Sequence, residues 1–146
     1  MFAEALTNAV FLGGRENVSV NNGRMESYFA TVFVNGHRNT VDNNGVIISD
    51  DVGIRVAGNN ADLRNDGTIR GVLGAIEGLD TAQNLSIVNR GTASAVSAPT
   101  IQPGTGAAQK TVTDCIKTGL PLPSRPVCDS RVQFSTAAAQ PGGPRR

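Results

Sequence analysis

Residues 41–71 read VDNNGVIISDDVGIRVAGNNADLRNDGTIRG, and this stretch decides the fold. Within it Asn43-Asn44-Gly45 is followed 22 residues later by Asn65-Asp66-Gly67. Working outward, the same tripeptide type occurs at Asn21-Asn22-Gly23 and Asn89-Arg90-Gly91, so successive glycines lie 22, 22 and 24 residues apart. A second series, Gly14, Gly36, Gly58 and Gly78, interleaves with steps of 22, 22 and 20. A fixed period of this length marks stacked structural repeats, each too small to bury its own apolar face.

The residues around both series fall into columns. Two before each asparagine stand Ser19, Val41, Leu63 and Ile87; two after each glycine stand Met25, Ile47, Ile69 and Ala93. Two before the second glycine series stand Leu12, Val34, Val56 and Ile76, and four before it Val10, Val32, Ile54 and Gly74. This is alternation at the strand period of two, with Phe11, Phe33 and Arg55 on the opposite face. It predicts two short strands per repeat, each bounded by Gly or Asn. The fold class that follows is all-β: a short right-handed parallel β-helix (β-solenoid) of about four coils of ~22 residues. Equivalent strands of successive coils would lie roughly 4.8 Å apart, giving a stack about 20 Å high.

The glycines, Gly14, Gly23, Gly36, Gly45, Gly58, Gly67, Gly78 and Gly91, are expected at coil corners, where positive φ or close backbone approach favours them. The column Asn21, Asn43, Asn65 and Asn89 has two readings. It is either an inward ladder of side chains bonded to one another and to turn backbone, or an ordinary surface turn dipeptide. The alternation places it on the side of Val41 and Ile47, which favours the ladder.

Three segments are expected. Residues 1–10 form a cap, either a helix with Phe2, Leu6 and Val10 at helical spacing or a partial coil. Residues 11–97 form the solenoid. From 98 to 146 the columns cease, and the expected structure is a Pro/Gly-rich linker at 99–109 and a largely irregular tail. In that tail Lys110 to Ile116 alternates enough for one short strand, while Pro121, Pro123 and Pro126 exclude regular structure around them. Cys115 and Cys128 would allow a disulfide closing a loop of about a dozen residues, worth about 3 kcal/mol in an oxidising compartment. Two cysteines with no nearby histidine do not make a zinc site.

Net charge is +1, which gives no pointer to nucleic acid or an anionic membrane. No apolar stretch approaches the ~20 residues of a membrane span, so this chain is not expected to insert. The N-terminus lacks a positive n-region and a continuous apolar h-region, and does not read as a signal peptide. The one histidine, His37, follows Gly36 at a corner and reads as solvated. Asp50-Asp51 and the pair Asp62 and Asp66 are the nearest approach to paired carboxylates. The outward columns Asp42, Arg64, Val88 and Asn44, Asp66, Arg90 read as charge pairing on a wet sheet face. Calcium β-roll nonapeptides, Gly-x-Gly-x-x-Gly, the P-loop and Gly-x-Ser-x-Gly do not occur. No enzyme activity, cofactor or metal is expected.

The residues VDNNGVIISDDVGIRVAGNNADLRNDGTIRGVLGAIEG and LSIVNRGTA resemble passenger-domain repeats of bacterial autotransporters and related large surface adhesins. The likeness is clear over about half the chain, and rests on a phrase of the form NxGTI-x-G…AI…L-x-I-x-NxGT. What the resemblance implies is a parallel β-helix in a secreted or cell-surface bacterial protein, or a fragment of one: a rigid structural or adhesive body binding host or polysaccharide. Self-association by solenoid stacking is compatible with it. Two other functions compete: a phage spike or fibre module, and, further off, a polysaccharide lyase or hydrolase. A stable trimer in solution points to the spike, a monomer to the passenger fragment.

Overall fold

The computed structural model describes residues 8–97 and 99–102 in full and the strands at 2–5, 110–116 and 127–134 as backbone. Among the described residues every regular element is a strand, and no helix is long and apolar enough to cross a membrane. The chain winds as a β-solenoid of about four turns with three parallel sheets running along its axis.

The first sheet holds β1 (Phe2–Ala5), β4 (Arg24–Ser27), β7 (Val46–Ser49), β10 (Thr68–Gly71) and β13 (Thr92–Ala95). The second holds β2 (Val10–Leu12), β5 (Val32–Val34), β8 (Val52–Val56), β11 (Gly74–Gly78) and β14 (Ile101–Gln102). The third holds β3 (Val18–Asn21), β6 (Thr40–Asn43), β9 (Asp62–Asn65), β12 (Leu85–Asn89), β15 (Lys110–Ile116) and β16 (Val127–Phe134). Each coil therefore has three strands, not two. The Asn-x-Gly tripeptide is a hinge between strands: Asn43 ends β6, and β7 begins at Val46.

Like residues stack on like. Val41 pairs with Leu63 and Leu63 with Ile87 in the third sheet; Met25, Ile47, Ile69 and Ala93 pair in the first; Val10, Val32, Ile54 and Ile76 pair in the second. These columns close on one another as a single buried core. Burying a Val, Leu or Ile side chain contributes about 1.5–3 kcal/mol, so the stack is held by its inner aliphatics and its ladder bonds together.

The asparagines form a second, polar column inside that core. Asn21 Nδ2 donates to Asn43 Oδ1, Asn43 Nδ2 to Asn65 Oδ1, and Asn65 Nδ2 to Asn89 Oδ1, each at 2.7 Å. All four are 5% exposed or less. The same amides reach across the hinge to Val46, Thr68 and Thr92 carbonyls one coil on. A buried amide needs such partners, and the ladder supplies them without water.

Close approach, not positive φ, explains the corner glycines. A Cβ on Gly36 would collide with the Gly14 carbonyl oxygen, and one on Gly58 with that of Gly36; Gly45, Gly67 and Gly91 repeat the arrangement in the other series. Positive φ falls instead on Glu16, Arg38, Asn60 and Asn84. Gly78 does not belong with Gly14, Gly36 and Gly58. It ends β11 opposite Val56, and Ile76 pairs with Ile54, not Val56. The turn from Leu79 to Asn84 absorbs the extra residues of this coil by folding back, with Ala82 N–H on the Leu79 carbonyl and Ala82 buried.

At the N-terminal end Phe2–Ala5 lies parallel to Arg24–Ser27 as a strand of a partial coil, so the helical spacing of Phe2, Leu6 and Val10 is not used. Regular structure also runs beyond residue 97. Ile101 pairs with Ile76 within what the sequence marks as linker, and Lys110–Asp114, in the strand expected at Lys110 to Ile116, pairs with Leu85–Asn89, each 25 residues on. β16 then lies antiparallel on β15 and covers that edge of the third sheet. Cys115 and Cys128 stand opposite each other in this register. Their side-chain pairing lies outside the described residues, as does the rest of the tail.

Candidate functional site: an aromatic and guanidinium face

The inner columns are committed to stacking, so chemistry available to a ligand lies on the outer faces. On the second sheet the outward residues in register are Phe11, Phe33, Arg55, Glu77 and Gln102. The strand period sends them outward because Val32, Val34, Ile54 and Val56 on either side point into the core. The column changes character along the axis, from two phenylalanines to a charged pair.

Phe11 and Phe33 meet with ring centroids 5.7 Å apart and planes inclined at 53°, an attractive aromatic geometry. Phe11 remains 58% exposed. Phe29, 56% exposed, comes to the same place from the turn between β4 and β5. That turn is pinned on both sides: Phe29 N–H donates to Ser27 Oγ at 3.2 Å, and Ser49 Oγ donates to the Phe29 carbonyl at 2.6 Å. Thr31 Oγ1 donates to the Ile48 carbonyl at 2.7 Å, so the chain beyond Phe29 is also tied to the coil above. Phe29, Ala30, Phe33, Arg55 and Asn8 line a concavity of about 330 Å³. Phe11, Phe29 and Phe33 thus meet at this corner and face, whereas Tyr28 lines a separate hollow with Glu26, Ser27 and Asp50.

Arg55 forms the polar wall. Its Nε donates to Glu77 Oε2 at 2.6 Å, and Nη1 and Nη2 donate to Asp51 Oδ2 and Oδ1 at 2.9 and 3.1 Å. Burial works against its charged form, but the hydrogen bonds and charges of Glu77 and Asp51 outweigh burial and hold its pKa above the ordinary arginine value. The guanidinium is thus fixed in one plane, with both carboxylates already engaged. A flat apolar wall beside an oriented cation is suited to binding a ligand with one apolar and one hydroxylated or charged side.

The other sequence candidates fall elsewhere. Asp50 is exposed at the β7–β8 turn, away from the guanidinium that holds Asp51. Asp62 pairs with Arg64 at 3.0 Å on the wet face of the third sheet, whereas Asp66 lies 3.9 Å from Arg90 at the hinge between the third sheet and the first, not on a sheet face as the sequence suggests. Asp42 and Arg64 are register partners in the third sheet, and one Asp42 carboxylate oxygen is buried with no hydrogen bond. His37 is exposed at the corner between the second and third sheets. Among the described residues no three His, Cys, Asp or Glu side chains are placed to hold a metal ion. Phe11, Phe33 and Arg55 were visible in the sequence as an outward column. Phe29 and Asp51 were not, because only the winding of the chain brings them beside it.

The chain matches no family model, no curated protein and no solved structure.

Proposed function

We propose that this protein is a non-catalytic structural and adhesive surface protein, or a fragment of an autotransporter-type passenger, located outside the cell or on its surface. Its rigid solenoid presents the second-sheet face to a polysaccharide or a glycan-bearing host surface. The observation that carries this reading is the aromatic and guanidinium face itself. Pyranose rings offer an apolar C–H face and a rim of hydroxyls. Phe33 and Phe29 supply the flat apolar partner, and the Arg55–Asp51–Glu77 group supplies fixed donors and acceptors at its border. Because backbone ladders hold β5 and β8 side by side, little ordering entropy is lost when a ligand docks.

The test is a glycan array with the full chain, followed by calorimetry on whatever binds. Phe33→Ala is expected to weaken binding about tenfold, the scale of losing one buried aromatic contact, with the melting temperature nearly unchanged. Glycan binding that survives Phe33→Ala intact removes this face as the site; turnover of a bound glycan removes the non-catalytic reading.

A further inference from the structure

The corner joining the second sheet to the third ends in the same left-handed step in four successive coils, the fourth reaching it through the longer Leu79–Asn84 turn. The left-handed residue has φ of 59° at Glu16, 54° at Arg38, 56° at Asn60 and 52° at Asn84. Ladder bonds repeat as well: Glu16 N–H to the His37 carbonyl, Arg38 N–H to Asn59 and Asn60 N–H to Gln83, at 2.8–2.9 Å. Asparagine takes this conformation more readily than other residues with a Cβ, and the two upper coils use it. Glu16 and Arg38 occupy it in the two lower coils at a steric cost that the fold does not require.

The residue before it shows the same split. Asn59 and Gln83 precede the left-handed asparagines, whereas Arg15 and His37 precede Glu16 and Arg38. Arg15 is bridged to His37, and His37 to Asn59, so Arg15 and His37 occupy adjacent rungs. Two arginines and one glutamate thus share this corner in the lower coils, an excess of one positive charge. Little inside the molecule offsets this. The Arg38–Glu16 contact is 3.5 Å long between side chains 72% and 70% exposed, the kind of pair that contributes little. Among the described residues neither the Arg15 nor the His37 side chain makes a hydrogen bond or ion pair. Arg15, Glu16, His37, Arg38 and Asn60 line a concavity of about 250 Å³. Strain and unrelieved positive charge at one place, beside two coils that show the neutral solution, point to selection for a ligand.

We infer that this corner binds the anionic substituent of an acidic glycan, a carboxylate or a sulfate, through Arg15, His37 and Arg38. The inference rests on the glycan-binding reading above and names the ligand's charge. Phe33 stands four residues before His37 at the other end of the same outward run. A saccharide chain packed on Phe11 and Phe33 would bring a charged substituent to the corner. Oxyanions suit the fork of an arginine, and charged hydrogen bonds there add affinity that falls with salt.

The experiment measures binding of the full chain to a sulfated hexasaccharide, a hexauronate and a neutral cellohexaose by calorimetry, at two salt concentrations. Acidic probes are expected to bind about tenfold tighter than the neutral one, the worth of one charge-assisted hydrogen bond. The two acidic arms distinguish sulfate from carboxylate. Arg15→Asn with Arg38→Asn should abolish the preference and flatten the salt dependence, while leaving cellohexaose binding unchanged. Arg38→Asn should also raise the melting temperature, because asparagine fits the left-handed position. A merely structural arginine would give the opposite sign. Equal binding of acidic and neutral probes, or an acidic preference that persists in the double variant, overturns the inference and leaves the glycan reading standing. Failure of all three probes overturns both. Tighter binding of a single-stranded oligonucleotide than of either acidic glycan reassigns the corner to nucleic acid and overturns it too.

Discussion

Replacing Asn65 by alanine should be one of the most damaging single changes in the chain, although it removes no aliphatic from the core. Asn65 is 1% exposed and sits in the middle of the ladder. It accepts from Asn43 Nδ2 at 2.7 Å and donates to Asn89 Oδ1 at 2.7 Å and to the Thr92 carbonyl at 3.2 Å. Three hydrogen bonds at about 1 kcal/mol net each give about 3 kcal/mol. A further contribution comes from the polar atoms left behind in a dry site. It is moderated on one side, because Asn43 Nδ2 keeps the Gly45 and Thr68 carbonyls at 3.3 and 3.2 Å. The total is about 3–4 kcal/mol, a large part of the ~5–15 kcal/mol that holds a typical domain together. Urea unfolding followed by far-ultraviolet circular dichroism measures it, through the shift of midpoint at constant slope, expected to exceed about 1 M. The control is Asn44→Ala. Asn44 is the exposed middle residue of the tripeptide one coil below, bonded through its side chain to Asn22 at 3.1 Å, and its loss should cost under about 0.5 kcal/mol. If Asn65→Ala and Asn44→Ala are equally mild, the ladder contributes no stability beyond a surface turn and the reasoning fails.

Two further outcomes follow from the winding. Gly58→Ala drives a methyl group into the Gly36 carbonyl and should destabilise by about 2 kcal/mol or more, seen as a lower urea midpoint, whereas a neutral result would mean the coils separate easily at that corner. A chain ended after Ser97 loses β14, β15 and β16 and leaves the upper edges of β11 and β12 bare; it should melt at a lower temperature and aggregate more than one ended after Phe134, and equal behaviour of the two would show that the upper strands add nothing.

The period carried most of the architecture because a solenoid repeats its inner environment. A residue that stacks on its own kind must recur at the coil length, and Val41, Leu63 and Ile87 do. The number of strands per coil was hidden for a geometrical reason. The hinge at Asn44-Gly45 keeps the in–out parity, so Val41, Asn43 and Ile47 all point inward across a bend and read as one alternating strand. Gly78 misled because glycine is required at a close backbone approach but tolerated at the end of a strand. Beyond residue 97 the signal was partial: alternation marks Lys110–Ile116, which is β15, but nothing marks the pairing of Ile101. Backbone ladder bonds pair Ile101 with Ile76 and Asp114 with Asn89 without an Asn-x-Gly marker, so strands stack where the composition has changed. The left-handed corner was invisible for the converse reason: only Asn60 and Asn84 of its four residues are of the type that conformation favours. Half of the candidate face escaped too, because Phe29 and Asp51 reach it from turns whose positions depend on the coil closing.

Inside and outside of this molecule answer to different constraints, and that contrast supports the proposed site. An inner position must match the rungs above and below it, so its identity is confined to aliphatics, to asparagine in the ladder, or to small residues such as Ser27, Ser49 and Gly71. An outer position meets solvent on one side and need match nothing. Outer columns here nevertheless change in order along the axis: Phe11 and Phe33 give way to Arg55 and Glu77, and Arg15 and His37 to Asn59 and Gln83. The apolar and basic members both lie in the lower coils, on one face and the corner that borders it. Stacking does not ask for that coincidence, and it exposes phenylalanine at some expense to stability. A surface that departs from what its own fold does elsewhere, twice and at neighbouring positions, is what the docking proposed above would require. The ladder contributes rigidity: β2, β5 and β8 hold Phe11, Phe33 and Arg55 in fixed succession before any ligand arrives, so affinity is not spent on ordering the site.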